Sequence, residues 1–142
     1  MLREFEGSTG IKTGYTKKAG RCLVTSCLRD GMELICVVLN CPPMFEKSKE
    51  ILTYCFNEYK NYKLVESDFI VGFCESDDKK YTLTIKNDVI LPLRKEEFEG
   101  IKIVYNYPEN LKIDDLAEKE VGFVEIYYKN NLIFKEKIYT IL

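Results

Sequence analysis

The sequence predicts an α+β fold: a partial antiparallel sheet with one packing helix, followed by a small all-β, sandwich-like domain. Three observations predict it. Two neighbouring strand-like runs, 22–28 and 33–39, are apolar on both faces, as strands inside a covered sheet are. A stretch from about Phe45 to Tyr59 carries apolar residues at spacings of three and four, the period of a helix. From Leu64 onward the pattern changes to short strands separated by turn residues.

Composition sets the outer bounds. The 142 residues suffice for one ordinary domain or two small ones. With 46% hydrophobic and 31% charged residues the chain reads as globular. A net charge of −2, with no basic stripe, argues against nucleic acid as a partner. No apolar run is long enough to cross a bilayer. Met1-Leu2-Arg3-Glu4-Phe5-Glu6 has no apolar core after its charge, so no signal peptide is expected. Histidine is absent, which excludes every site built on an imidazole base. Zinc would have to rely on cysteines, and Cys22, Cys27, Cys36, Cys41, Cys55 and Cys74 contain no Cys-x-x-Cys pair. They read as small buried hydrophobes; disulfides are the alternative, since the count is even. No cofactor and no metal is expected.

The first strand carries Ile11 to Tyr15. The runs 22–28 and 33–39 form a hairpin around Arg29-Asp30-Gly31-Met32, where Asp and Gly supply the turn chemistry. Pairing Leu28 with Glu33 puts Leu23, Cys27, Leu34, Cys36 and Val38 on one face. Cys22, Val24, Leu28, Ile35, Val37 and Leu39 fall on the other. Asn40-Cys41-Pro42-Pro43 ends the sheet. The helix that follows has the stripe Ile51, Leu52, Cys55, Phe56 and Tyr59 and can cover one face. No second helix of comparable length exists for the other face, so 1–61 reads as part of a core. Its missing cover is expected from another segment or another molecule.

Asn61-Tyr62-Lys63 reads as a linker into a second domain, 62–142. Its expected strands are 68–74, 81–86, 89–93, 101–105, 121–128 and 132–139. Lys129-Asn130-Asn131-Leu132 is a hairpin signal, because Asn tolerates the left-handed conformation. The number and spacing of strands suit a sandwich.

The residues that carry chemistry lie in the first strand: Gly10-Ile11-Lys12-Thr13-Gly14-Tyr15-Thr16. Lys-Thr-Gly on a sheet edge is one of three motifs of penicillin-recognising serine enzymes. Gly7-Ser8-Thr9-Gly10-Ile11-Lys12-Thr13-Gly14-Tyr15-Thr16, Ala19-Gly20-Arg21-Cys22-Leu23-Val24-Thr25-Ser26 and Arg29-Asp30-Gly31-Met32-Glu33-Leu34-Ile35 together resemble low-molecular-weight penicillin-binding proteins that act as serine-type D-Ala-D-Ala carboxypeptidases. The helix around Ile51-Leu52-Thr53-Tyr54-Cys55-Phe56 is similar to the helix that packs on that family's sheet. Residues 64–142 resemble its β-rich second domain, with Leu111-Lys112-Ile113 and Val121-Gly122-Phe123-Val124-Glu125-Ile126-Tyr127 similar to that domain's closing pattern.

The resemblance implies roles. Lys12 supplies positive charge and supports proton transfer at the nucleophile, and Thr13 hydrogen-bonds the substrate's terminal carboxylate. Gly14 lets the substrate lie along the strand edge. The backbone N–H of Tyr15 is one of two oxyanion-hole donors. Taken without the resemblance, Lys12 is an edge lysine that discourages pairing, and Gly14 marks a bulge. Ser-x-Asn is absent, and Ser-x-x-Lys occurs only as Ser76-Asp77-Asp78-Lys79, in an acidic turn of the second domain. Tyr59-Lys60-Asn61 and Tyr128-Lys129-Asn130 fit a Tyr-x-Asn variant but fall at a helix end and a hairpin turn. The expectation is a piece of a carboxypeptidase that trims peptidoglycan stem peptides ending in D-Ala-D-Ala, inactive alone. The intact protein is then exported and works at the cell membrane or wall; no anchor is expected here. The other reading is a non-catalytic cell-envelope binding or stalk module. Expected partners are the missing N-terminal half or a second copy on the uncovered sheet face.

Overall fold

The computed structural model describes residues 5–76, 79–109 and 118–141. They divide into two compact units. The first takes in the described residues up to Asn61 together with Pro92–Lys95; the second takes in Tyr62–Leu91 and the described residues from Glu96 on.

The first unit is built on three antiparallel strands, β1 (Ser8–Thr16), β2 (Gly20–Arg29) and β3 (Met32–Val38), in the order β1-β2-β3. Asp30 and Gly31 both have positive φ, 48° and 73°, the primed turn whose twist suits a two-residue hairpin. Leu28 pairs with Glu33 and Leu23 with Val38, the register the sequence predicts. Before β1, the backbone N–H of Leu28 donates to the Gly7 carbonyl at 2.8 Å. The Arg29 guanidinium lies over the rings of Phe5 and Phe56, and its Nε donates to the Glu6 carbonyl at 2.9 Å.

Helix α1 (Met44–Glu58) covers one face of this sheet. Leu23, Cys27, Cys36 and Val38 form its core with Leu52, and Leu34, Met44 and Phe56 close around them. The expected stripe is corrected at one position: Leu52 is 1% exposed but Ile51 is 43% exposed. The line facing the sheet runs Met44, Ser48, Leu52, Phe56, one residue in four. Ile51 points about 100° away from it, at 3.6 residues per turn. On the opposite face Leu28, Ile35, Val37 and Leu39 are exposed.

After α1 come β4 (Lys60–Val65), β5 (Ile70–Ser76), β6 (Lys79–Thr84), β7 (Val89–Leu93), α2 (Lys95–Glu99), β8 (Ile101–Asn106), β9 (Glu120–Tyr128) and β10 (Asn131–Ile141), which make up the second unit except for the ends of β4, β7 and α2 that fall in the first. Five strands make an antiparallel sheet in the order β5-β6-β10-β9-β8, and β4 pairs with β7. Val65 and Val89 of this ribbon pack on Cys74, Tyr81, Leu83, Ile85, Val124, Ile126 and Ile138. The layering is that of a small sandwich.

Two elements depart from the sequence reading. The expected linker at Asn61-Tyr62-Lys63 is part of β4. Tyr62 and Leu64 turn inward on either side of exposed Lys63, a half-buried alternation too short to stand out. α2 was not expected: it has five residues, acidic in its first turn, and Phe98 stacks on Tyr62 with centroids 4.1 Å apart. The hairpin at the end of β9 forms as expected, with Lys129 and Asn130 at positive φ. Leu111-Lys112-Ile113, Asp77 and Asp78 lie outside the described residues.

Candidate functional site

β1 is an edge strand: it pairs with β2, and among the described residues its other edge is unpaired. It therefore offers free backbone groups along Lys12-Thr13-Gly14-Tyr15. The irregularity in its ladder sits between Ser8 and Gly10, where Gly10 has φ 114°. This corrects the reading of Gly14 as a bulge: Gly14 lies in regular pairing opposite Cys22.

The pleat sends alternate side chains to opposite faces, and the register states which. Lys12 pairs with Val24, which pairs with Val37; all three lie on the face that α1 leaves open. Thr13 pairs with Leu23, a core residue under α1, and Tyr15 pairs with Arg21. Thr13, Tyr15 and Arg21 thus share the helix-covered face, beyond the end of the helix's cover. All four motif residues are exposed.

Gly14 is informative by what surrounds it. A Cβ there would meet only the Cβ of Cys22, at 3.9 Å. That is ordinary contact, so nothing in the described packing requires glycine. The open space lies over the sheet face that Gly14 shares with Lys12.

Thr13, Gly14, Tyr15 and Arg21 line a cleft of about 470 Å³ with Met44 and Phe45 of α1. The segment from Ser8 to Arg21 carries four cations (Lys12, Lys17, Lys18 and Arg21) and no acid. The electrostatics favour an anion. Sequence reasoning did not single out Arg21, Met44 or Phe45. Arg21 was within reach of it, because the turn from Thr16 to Gly20 fixes Tyr15 opposite Arg21.

The alternative nucleophile lies elsewhere. Ser76 ends β5 and Lys79 begins β6 directly opposite it. The two form a hairpin pair and not one turn of a helix. The six cysteines are free thiols, with Cys27, Cys36 and Cys74 buried. Burial pushes the Cys74 thiol pKa up, which suppresses its thiolate and its reactivity. Cys22, half-buried, accepts a hydrogen bond at Sγ from the Asn40 backbone N–H at 3.5 Å.

Comparison with known proteins gives the same grouping. Residues 1–42 match the family model of D-alanyl-D-alanine carboxypeptidase. Residues 59–141 match the model described as penicillin-binding protein 5, C-terminal domain. The D-alanyl-D-alanine carboxypeptidase DacD of Salmonella typhimurium is 27% identical over 139 residues, which is 93% of this chain and 36% of that protein. DacF of Bacillus subtilis is 24% identical over 129 residues, 86% of this chain and 33% of that protein. The chain thus spans about a third of the length of these curated relatives. In fold it resembles penicillin-binding protein 5 of Haemophilus influenzae, with a TM-score of 0.76 at 23% identity over 99% of this chain and 43% of that one. It also resembles PBP3 of Streptococcus pneumoniae, with a TM-score of 0.75 at 18% identity over 95% of this chain and 42% of that one.

Proposed function

The chain belongs to the family of the penicillin-binding protein 5 C-terminal domain, whose model takes in 59–141, and from that premise we propose that it supplies the Lys-Thr-Gly strand and the β-domain of a D-alanyl-D-alanine carboxypeptidase. In this reading 1–61 is the last segment of the catalytic domain and 62–142 is the β-domain. The observation that carries the proposal is the edge at Lys12-Thr13-Gly14, unpaired among the described residues.

The chemistry follows from the edge. A peptide ending in D-Ala-D-Ala adds to β1 as a further strand, held by main-chain hydrogen bonds. A serine attacks the carbonyl before the last residue and forms an acyl-enzyme, which water hydrolyses. The N–H of Tyr15 stabilises the oxyanion. Thr13 holds the terminal carboxylate, and Lys12 supplies charge and supports proton transfer at the nucleophile. Lys12 lies on the open sheet face with Val24 and Val37. The serine-bearing part of the enzyme is therefore the occupant of that face, covering its apolar side chains and meeting Lys12 there. The intact protein works on peptidoglycan outside the cytoplasmic membrane. Among the described residues no helix is long and apolar enough to cross a membrane.

The same open face favours a second reading, a non-catalytic envelope module in which two copies cover each other. Exposed apolar patches mark interaction surfaces, and Leu28, Ile35, Val37 and Leu39 form one here.

Fluorescent penicillin separates the readings. The chain alone should give no covalent band on a denaturing gel. Mixed with the upstream, Ser-x-x-Lys-bearing part of a carboxypeptidase relative, it should restore a band on that part, and Lys12→Ala should abolish it. A band on this chain alone that Ser76→Ala removes would overturn the proposal. A stable dimer that never restores labelling would establish the module instead.

A further inference from the structure

We infer that the first unit holds a second binding site, for a small zwitterion: an α-amino acid with its ammonium and carboxylate both free. The site lies where the β2–β3 hairpin meets the end of α1. It goes beyond the carboxypeptidase reading and does not depend on it.

The inference starts from one arginine. The Arg29 guanidinium lies 4.3 Å from the centre of the Phe5 ring and 4.9 Å from that of Phe56, and its Nε donates to the Glu6 carbonyl at 2.9 Å. Two rings and a carbonyl hold the side chain and leave its terminal amino groups for another partner. Among the described residues no acid forms an ion pair with Arg29 or with Lys60, and no base forms one with Asp30. All three charges line one cavity of about 370 Å³, an ordinary size for a small-molecule site. A cation held in place before its ligand arrives gives up little freedom on binding.

The lining selects the ligand. The guanidinium offers parallel donors that match a carboxylate. Asp30, its neighbour in the turn, repels a phosphate or a dicarboxylate and attracts an ammonium. The Asn61 amide stands beside the same turn, since a Cβ at Gly31 would meet its Nδ2 at 3.7 Å; it can donate to one end of the ligand and accept from the other. Met32, 8% exposed, and Phe56 supply an apolar wall for the ligand's side chain. The cavity sits at the C-terminal end of α1 and the Thr13 cleft at its start, about 20 Å apart at the rise of a helix. An occupant here therefore does not compete with a peptide on β1.

The test titrates the whole chain with D-alanine, the amino acid that the reaction proposed above releases, and reads the backbone amides of 29–32 and 57–61 by NMR. N-acetyl-D-alanine and D-alaninamide are the comparison probes, each lacking one charge. D-alanine should bind about tenfold more tightly than either, the worth of one charge-assisted hydrogen bond. Asp30→Asn should erase the preference over N-acetyl-D-alanine, and Arg29→Gln the preference over D-alaninamide. Unchanged amide signals along β1 would establish that each variant folds. Equal binding of all three probes, preferences that survive both substitutions, or no binding would overturn the site. Shifts confined to 12–15 would move the amino acid to the strand cleft and overturn it too. None of these outcomes alters the penicillin labelling that tests the carboxypeptidase reading.

Discussion

Gly14 and Gly122 are both strand glycines, and their surroundings assign them opposite tasks. A Cβ at Gly122 would fall on the Asn106 carbonyl oxygen and against the Cα and Cβ of Tyr107, atoms fixed by the backbone that cannot step aside. Gly122→Ala should destabilise the second unit by about 1–3 kcal/mol, the cost of overpacking, seen as a lower midpoint in thermal unfolding. Gly14→Ala meets only the Cys22 Cβ at 3.9 Å and should shift stability by less than about 0.5 kcal/mol. Its effect belongs to ligand approach, and should appear as weakened peptide binding. At the same scale, Asp88 is a charge with a defined pH signature. Lys63 Nζ at 2.8 Å and the Ser67 backbone N–H at 2.7 Å hold its pKa down at about 2. Unfolded, an Asp titrates near about 3.9. The unfolded chain thus binds the extra proton between these values, so the stabilisation is complete above the higher one and drains as pH falls through the lower. Asp88→Asn should be less stable than the parent at neutral pH, and the difference should vanish only below about pH 2, measured by urea unfolding across the acid range. Glu125 is lowered in the same sense, first by its hydrogen bond from Lys135 and then by that from Tyr127.

Among the elements, α1 gives the sharpest test, because neighbouring residues differ. Leu52 is buried against Leu23, Cys27, Cys36 and Val38, and Leu52→Ala should cost about 2–5 kcal/mol. Ile51→Ala, one position away and largely in solvent, should cost less than about 1 kcal/mol. Equal losses in chemical denaturation would refute the observed orientation of the helix. What could be read from sequence follows from where the signals were strong. The β2–β3 register was legible because Asp30-Gly31 dictates its own turn geometry and fixes every pair after it. The position of Ile51 was not, because an apolar residue at the margin of a stripe fits the helical period as well as one at its centre. β4 was obscured by Asn61 and Lys63, polar residues that suit a loop and a half-exposed strand equally. In the site, Lys12 through Tyr15 announced themselves by motif. Arg21 belongs to no motif, and only the pairing across the turn brings it beside Thr13.

For the molecule as a whole, the open face of the first unit decides behaviour in solution. Leu28, Ile35, Val37 and Leu39 expose apolar area that water penalises by about 25 cal/mol per Å², so the purified chain should self-associate as its concentration rises. Val37→Lys introduces a charge at the centre of the patch, and should shift sedimentation velocity toward the monomer while leaving the circular dichroism unchanged. Unaltered association would move the sticky surface elsewhere. The same substitution should also impair rescue by a serine-bearing half, since both occupants compete for one surface.

The alternation along β1 has a further reach. Because Lys12 and Thr13 look to opposite sides of one strand, each can drift under a different pressure. A change at Lys12 alters the open sheet face and leaves the cleft on the Thr13 side as it stands. Charge on one side of the strand and the cleft on the other are therefore separable by single substitutions at neighbouring positions.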